Sequence, residues 1–564
     1  MKILLVNPTI TGEPEANHIG LVTLGTYLHA RSAHRATVLD FAFHHGGDWR
    51  ALLARRLAEF APDVVGLYVS TPYFPSAKAV ADEVKRLAPT RPVIAGGHHA
   101  TLSPQSVIEH RAFDMLVIGE GEVPLLRLLD AMEAGRELDE VPGLWFRREG
   151  EVVKVEKGPP LEAAEIPALD WGLYDEETLR RSFFYFGAMP VMGSRGCPNK
   201  CSFCAITNVQ ALYAGQKFLR FRDPVAVVDE IERNYRRFKP MGMKIVYFYD
   251  LNFLVAPKWL RAFTEEYRRR GLHRELPWSA YTRADHVNPE VLAALKDSGC
   301  INLRVGVESA NEQARNDWYN KELPQRQLID ALRSIKELGI SITGYFLVGG
   351  PGERPEHLME SMEFAYDHGV EYPAFFLYKP LAGTDVLQRA GEMGSFIDEA
   401  SMAEPADFMR GVNMVHRHIT RRQIATFHLL TQAVFGARIV ARQLADERHR
   451  YVVGLARYTL RALRDGFTPY ESAIYYTFYG DGHLTRPHLF PARRERPRAW
   501  SALFKLLRLY MRSTDGEARE LEAREGAVIP RAPQGAAVPD APAVVVQIRR
   551  APKMVPTRGA IGET

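Results

Sequence analysis

Three observations predict an α/β chain built from two successive domains. Short apolar runs alternate with amphipathic stretches from residue 1 to about 135, the alternation resumes from about 186 to 410, and a polar connector carrying Pro142, Pro159, Pro160 and Pro167 separates them. Alternation of this kind implies βαβ units around parallel strands. The first block reads as a Rossmann-like sheet with helices on both faces. Six units in about 200 residues suit a partial (β/α)6 TIM-like barrel better than a second flat sheet. A mostly helical C-terminal region and a disordered tail complete the expected order. The boundaries are 1–140, a linker at 141–185, the barrel at 186–410, the helical region at 411–515 and the tail at 526–564.

In the first block the expected strands are Lys2–Asn7, Ala36–Asp40, Val64–Ser70, Pro92–Ala95 and Met115–Ile118, with helices at Leu21–Ala30, Trp49–Phe60 and Ser76–Leu87. Ligands of such sheets sit beyond the carboxyl ends of the strands. Candidate cofactor contacts are therefore Ser70 and Thr71, Gly96 and Gly97, and Gly119 and Glu120, where glycine lets a backbone come close to a ligand. In the second block the strands are Pro190–Ser194, Lys244–Tyr249, Trp278–Thr282, Ile301–Gly306, Ser341–Val348 and Ala374–Tyr378. Helices are expected at Val225–Phe238, Pro257–Arg270, Pro289–Lys296, Arg326–Leu338 and Pro355–His368.

Beyond residue 415 the pattern turns helical and basic, with Phe427, Leu430, Val434, Ile439 and Val440 at helical spacing. A later helix aligns Trp500, Leu503, Phe504, Leu507, Tyr510 and Met511 beside Arg498, Lys505, Arg508 and Arg512. That stripe, 498–512, packs on its own protein or rests on a membrane and passes in a lipid-like substrate. The final stretch is Pro/Ala/Val-rich without helical period, which predicts disorder.

Composition narrows the class. The 72 basic and 68 acidic residues leave a formal charge of +4, which gives no case for a nucleic-acid partner. The first apolar run is too short for a secretory signal. No uninterrupted run of about 18 apolar residues is evident, so a membrane span is not expected and a cytoplasmic setting is. Four cysteines occur in the chain, three of them clustered as Cys197-x3-Cys201-x2-Cys204. A disulfide framework would spread them and use them in pairs, so the cluster points to a metal. Cys300, at the start of an expected strand, reads as core.

Three thiolates on one loop can hold an iron–sulfur cube and leave the fourth iron open to a substrate amine and carboxylate. The loop follows an apolar strand and Ser194-Arg195-Gly196, so it lies at a strand's carboxyl end, where barrel active sites are found. Phe203 is placed to shield the cluster or to stack near a nucleobase. A zinc site would need a fourth ligand, from Cys300 or a histidine, and neither lies near in sequence. Three inert buried thiols remain as the plain alternative.

Cys197-Pro-Asn-Lys-Cys201-Ser-Phe-Cys204 resembles the signature of the radical S-adenosylmethionine (SAM) superfamily. Over about residues 1–400 the chain resembles that superfamily's cobalamin-binding branch. The first domain does so through Gly96-Gly97-His98-His99-Ala100-Thr101 and Gly119-Glu120-Gly121-Glu122. The core does so through Phe248-Tyr249-Asp250-Leu251-Asn252-Phe253, Gly306-Val307-Glu308-Ser309, Gly349-Gly350-Pro351-Gly352 and Pro380-Leu381-Ala382-Gly383-Thr384. The resemblance implies a [4Fe-4S] cluster, SAM and cobalamin as cofactors. It also implies reductive cleavage of SAM to a deoxyadenosyl radical that removes a substrate hydrogen. Glu308 and Ser309 would then contact the ribose or methionine part, and a charge after an apolar strand needs a partner. Asp250 is a candidate for polar contact with methionine or substrate, or a helix N-cap. Gly349, Gly350 and Gly352 would let the backbone pass near adenosine, although a strand–helix turn explains them too.

One departure bears on the cobalt. Many cobalamin domains carry Asp-x-His-x-x-Gly, whereas this chain reads Glu15-Ala16-Asn17-His18-Ile19-Gly20, with different spacing. His18 is therefore not assigned as a cobalt ligand, and His98 and His99 read equally well as loop contacts. The leading expectation is methylation of an unactivated carbon of a small-molecule or lipid-like substrate by a class B-type methyltransferase. Its alternative is an oxidative cyclisation or ring rearrangement without methyl transfer, and a remote one is a non-catalytic cofactor- or metal-sensing protein. A reducing partner such as flavodoxin or ferredoxin is implied, and a nucleic-acid partner is not.

Overall fold

The computed structural model describes residues 1–10, 18–44, 48–398, 411–464 and 498–513. Its first sheet contains β1 (Lys2–Asn7), β2 (Arg35–Asp40), β3 (Val64–Tyr68), β4 (Val93–Gly96), β5 (Met115–Val117), β6 (Leu144–Arg148) and β7 (Glu151–Lys154). The order is β2-β1-β3-β4-β5-β6-β7, with the first five strands parallel and the last two added antiparallel. Strand order reverses between β1 and β3, and the crevice at such a switch point is where doubly wound sheets bind ligands. Helices cover both faces because the strands are apolar on both: Ile3 and Leu5 point to one cluster, Leu4 and Val6 to the other.

The segment expected to be a linker is more structured than its polar composition suggests. Residues 144–154 form the β6–β7 hairpin on the edge of the first sheet, and Glu176–Phe186 is a helix capped by Asp175. The hairpin strands are short and half-exposed, so they carry little apolar signal. Tyr174 then ties the segment to the first domain, its hydroxyl donating to Asp40 at 3.0 Å and accepting from the His18 backbone N–H at 2.8 Å. On the barrel side, Glu230 accepts from Leu169 N and forms a fully buried ion pair with Arg222.

The second sheet is an open parallel barrel of six strands in sequential order. These are β8 (Ala188–Val191), β11 (Ile245–Phe248), β12 (Trp278–Thr282), β13 (Cys300–Glu308), β14 (Ser341–Val348) and β15 (Tyr372–Leu377), with the two-residue strands β9 (Ser194–Arg195) and β10 (Arg220–Phe221) forming a separate pair. Leu303, Val305 and Val307 of β13 face the surrounding helices, while Asn302, Arg304 and Gly306 alternate to the other face. A small antiparallel hairpin, β16 (Ser395–Ile397) with β17 (Met414–His416), follows β15.

A 44-residue helix, Arg421–Arg464, spans the open side of the barrel. Near its start Phe427 and Phe435 pack on Phe375 of β15, and near its end Tyr458 stacks on Phe184 and meets Tyr185, beside Ala188 of β8. The two edge strands that a closed barrel would pair are thus covered by one helix. Its first part, Arg421–Ala441, is long and apolar enough to cross a membrane, with a third of that span buried. Interspersed Thr, His, Gln and Arg residues keep it from being an uninterrupted apolar run. Phe504, Leu507 and Met511 of the helix Arg498–Ser513 are buried against the helix Pro355–Asp367, where Tyr366 meets Phe504 edge-on at 5.6 Å and Arg508 reaches Glu363. The core of the basic stripe therefore packs on its own protein. Residues 467–490, which are rich in Tyr, Phe and Gly, and the tail at 526–564 lie outside the described residues.

Candidate active site at the junction of the two domains

The cysteines lie on the turn between β9 and the helix Ala205–Leu212, beyond the carboxyl end of β8. Gly196 opens that turn with φ +90°, and a Cβ there would strike the Phe218 backbone. Asp250, just after β11, holds the approach to the turn: Gly193 N–H donates to it at 2.9 Å and the Ser194 hydroxyl at 2.5 Å. Its carboxylate is thus engaged in shaping the strand that delivers the cysteines. Burial pushes the Asp250 pKa up to about 6 against those hydrogen bonds. Because the folded carboxyl binds its proton more tightly than an unfolded one, its stabilising contribution is full below about pH 4 and is lost as pH rises to about 6. Asp250→Asn, which can still accept from Gly193 and donate to Ser194, is expected to remove that share of the pH dependence, about 3 kcal/mol between pH 4 and 7 by the pKa difference. Denaturant unfolding of the two proteins at both pH values measures it.

Cys201 is 9% exposed and accepts a hydrogen bond from Arg283 Nη1 at 3.1 Å. Arg283 is in turn fixed by Asp285, at 2.9 and 3.0 Å, and by the Lys321 carbonyl at 2.5 Å. Burial raises all three thiols, Cys204 to about 12, so only a metal centre would hold them as thiolates at neutral pH. Among the described residues, no three His, Cys, Asp or Glu side chains stand close enough to share one metal ion. In a cube each cysteine would bind a different iron, so the three need not converge on one ion. Cys300 is 1% exposed in the core at the start of β13, away from this turn.

Glu308 ends β13 in the left-handed region, φ +63°, and accepts from Lys321 Nζ at 2.7 Å. Lys321 also donates to the Gly306 carbonyl at 2.5 Å. A Cβ on Gly306 would lie 2.5 Å from the Glu308 carboxylate and 2.7 Å from Lys321 Nζ, so this pair requires glycine there. The Ser309 hydroxyl accepts from Asn311 N–H, and its carbonyl accepts from the fully buried Arg315. Gly349 has φ +75°, and a side chain on Gly350 would collide with the Tyr319 hydroxyl. Phe203 meets Tyr319 edge-on at 5.5 Å. Tyr319 thus links the cysteine turn to the glycine turn after β14. Sequence reasoning missed Arg283, Tyr319 and Lys321, which carry no local motif.

At the carboxyl edge of the first sheet, Gly96 faces open space, and Gly97, φ +106°, packs against Tyr68. The Ser70 hydroxyl is buried without a protein partner. Thr71 Oγ1 is 3.0 Å from His99 Nδ1, and Ser106 Oγ lies 3.2 Å from its other nitrogen, so both His99 nitrogens are engaged within the protein. His98 keeps an exposed surface although surrounding protein lowers its pKa, the pairing expected of a side chain lining a cleft. The His18 ring lies 4.1 Å from that of Tyr68, and its Nδ1 accepts from Leu21 N–H at 3.2 Å. Burial, then the neighbouring His98, lowers the His18 pKa to about 4, so it is neutral. An unpartnered hydroxyl, open space over β4 and cleft-lining imidazole at the switch point fit a bulky polar cofactor there.

The turn after β5 joins the two sites. The hydroxyl of Tyr213, from the segment after the cysteines, accepts from Glu120 N–H at 3.0 Å, and a side chain on Gly119 would collide with it. Glu120 pairs with Arg220 and Arg195, and Arg195 also pairs with Glu122. The Glu120 carboxylate is therefore committed to an interdomain ion pair, and its candidate role toward a cofactor falls to its backbone. Burial pushes that carboxyl up, and the Arg220 hydrogen bond with the charges of Arg195 and Arg220 outweighs it, leaving the pKa below the usual range.

Comparison with known proteins agrees with this arrangement. The B12 binding domain family matches residues 9–129 and the radical SAM superfamily matches 191–365. An uncharacterized methyltransferase of Pyrococcus horikoshii is 28% identical over 407 residues, 69% of this chain and 83% of that protein. The anaerobic magnesium-protoporphyrin IX monomethyl ester cyclase of Cereibacter sphaeroides is 29% identical over 353 residues, 61% of this chain and 56% of the cyclase. Among solved structures, the Kitasatospora setae radical SAM methyltransferase TsrM, with cobalamin and a [4Fe-4S] cluster bound, shares the fold at TM-score 0.59 and 21% identity, over 72% of this chain and 81% of TsrM. With both domains matched in this order, the chain belongs to the cobalamin-binding branch of the radical SAM superfamily.

Proposed function

We propose that this chain methylates an unactivated carbon of a small-molecule or lipid-like substrate. The observation that carries the reading is the shared wall between the sites: Tyr213 and Arg195, from the elements flanking the cysteines, touch the β5 turn of the B12 binding domain directly. When bound, the cluster and SAM supply a hydrogen-abstracting radical, and cobalamin supplies a methyl group. Cys197, Cys201 and Cys204 are the residues to hold the cluster, with Arg283 tuning Cys201. Gly349, Gly350, Ser309 and the Glu308–Lys321 pair border the space for SAM. Ser70, Thr71, Gly96, Gly97 and Gly119 border that for cobalamin. The Pyrococcus relative, named an uncharacterized methyltransferase, supports this reading.

The cyclase relative supports a second reading, oxidative cyclisation with the same cofactors and no methyl transfer. A reducing protein of the flavodoxin or ferredoxin type would serve either, and a cytoplasmic setting would keep the thiols reduced. Membrane contact, if made through 498–512, would fall to the exposed Leu506 and Leu509. The test is anaerobic reconstitution with iron, sulfide and hydroxocobalamin, followed by methyl-labelled SAM and a reductant. Methyl label recovered with the desalted holoprotein, together with free deoxyadenosine, supports methyl transfer. Deoxyadenosine without loss of methyl from SAM favours cyclisation, and neither product sinks both.

A further inference from the structure

Two helices that follow β17 meet at a polar seam and carry leucine to their outer surfaces. Gln423 Nε2 of the helix Arg421–Arg464 donates to the Met511 carbonyl of the helix Arg498–Ser513 at 2.6 Å, and the hydroxyls of Thr426 and Tyr510 lie 3.2 Å apart. Leu506, one turn from Tyr510, is 63% exposed, and its near neighbour Leu509 is 56% exposed. Leu429, one turn from Thr426, is 55% exposed. A lone exposed leucine is ordinary, but three within a turn of one seam form a patch that calls for a partner.

The longer helix extends that patch. Ala425, Leu429, Ala433, Ala437 and Ala441 are all exposed at four-residue spacing, on a face where a solvated helix ordinarily carries charge. Only a third of the apolar span Arg421–Ala441 is buried.

Charge separates the candidate partners. Neither Arg421–Ala441 nor Arg498–Ser513 contains an aspartate or glutamate, and their charged residues are arginine and lysine throughout. Arg508 reaches Glu363, and Arg421 reaches Asp398. Lys505 adjoins Leu506, and Arg422 lies one turn before Thr426; both are exposed and have no acidic partner among the described residues. A second copy of this chain would set the same cations face to face with no acid to answer them. An acidic protein would answer the cations, whereas leucines standing out from helix faces insert between lipid tails without a matching hollow. Leucine flanked by cations, on helices lying along the surface, therefore matches a bilayer with anionic headgroups.

We infer that the outer faces of these two helices form a membrane-docking surface. It seats Leu429, Leu506 and Leu509 at the boundary of headgroups and acyl chains and sets Arg422 and Lys505 against anionic phospholipid. The docking is peripheral, since Phe427 and Phe435 on one helix and Phe504 and Leu507 on the other stay buried in the protein. The inference goes beyond the radical-enzyme reading and gives a lipid-like substrate a route to the enzyme.

The test is flotation of the full-length reconstituted holoenzyme with vesicles of phosphatidylcholine, alone or mixed with phosphatidylglycerol. Binding to the mixed vesicles is expected to be roughly tenfold tighter, as two cations near an anionic surface require, and to weaken as salt is raised. Leu506→Ser with Leu509→Ser should weaken binding to both vesicle types by roughly tenfold. Both side chains are exposed, so the change spares the core, and iron content and melting temperature report whether it does. Arg422→Gln with Lys505→Gln should bring the mixed vesicles down to the phosphatidylcholine level. No flotation, equal binding to the two lipids, or binding that survives the leucine changes would overturn the proposal. So would a wild-type dimer in sedimentation that the leucine changes dissociate, which would assign the face to a second copy. Deoxyadenosine release is measured without vesicles, so the docking surface and the radical reading fail separately.

Discussion

Cys201→Ala is expected to abolish reductive SAM cleavage and to drop iron from about four per chain toward zero after reconstitution. Cys201 is the most buried of the three clustered thiols and the one to which Arg283 donates. Removing its sulfur leaves two protein ligands for a cube and an arginine aimed at a gap. The cost to the apo fold is small by comparison, about 1 kcal/mol for one buried sulfur atom. Near-normal melting of the apo variant together with absent iron therefore separates a lost ligand from a lost fold. Cys300→Ala is the matched control: its thiol is fully buried, accepts no metal role, and lies at the far end of β13 from Glu308. Iron and cleavage should persist there. Four irons retained in Cys201→Ala, or iron lost equally in both variants, would remove the cysteine turn from the site.

Much of this fold is legible in the sequence because its strands stand out as short apolar runs, filled on both faces in the first sheet and on the helix-facing side in the barrel. The expected Lys2–Asn7, Trp278–Thr282 and Ser341–Val348 coincide with β1, β12 and β14, and the others differ by one to three residues at their ends. The β6–β7 hairpin is not legible, since Glu151–Lys154 holds only exposed and half-buried residues, like a loop. The site divides in the same way. Cys197, Cys201 and Cys204 announce themselves by spacing, and glycine at 306, 349 and 350 by position. Their supports do not. Arg283 is 82 residues from Cys201, and Tyr213 is 93 residues from Glu120, so only the folded chain brings them together. Asp250 and Glu120 mark functional edges in the sequence, yet the partners that occupy their carboxylates are supplied by the fold.

The interdomain contact makes the other large prediction. Arg220→Met is expected to destabilise the folded chain by about 3 kcal/mol, because it strands the partly buried Glu120 carboxylate with one cation removed. Arg220 is 2% exposed; besides Glu120 it donates to the carbonyls of Leu161 and Phe218, and Met fills its volume without replacing any of these bonds. Arg195, at 3.5 Å from Glu120, softens the loss and keeps it toward the low end of the range for broken buried pairs. Denaturant unfolding at pH 7 measures the change. Since the Glu120 carboxyl lies below its usual pKa in the folded state, the pair's contribution is present at neutral pH and fades as pH falls through the acid range, so the two proteins should converge there. The double variant Arg220→Met with Glu120→Gln carries no stranded charge at this position and should recover part of the stability. If it is as unstable as Arg220→Met alone, the loss belongs to the two carbonyls, and the ion pair is not what joins the domains.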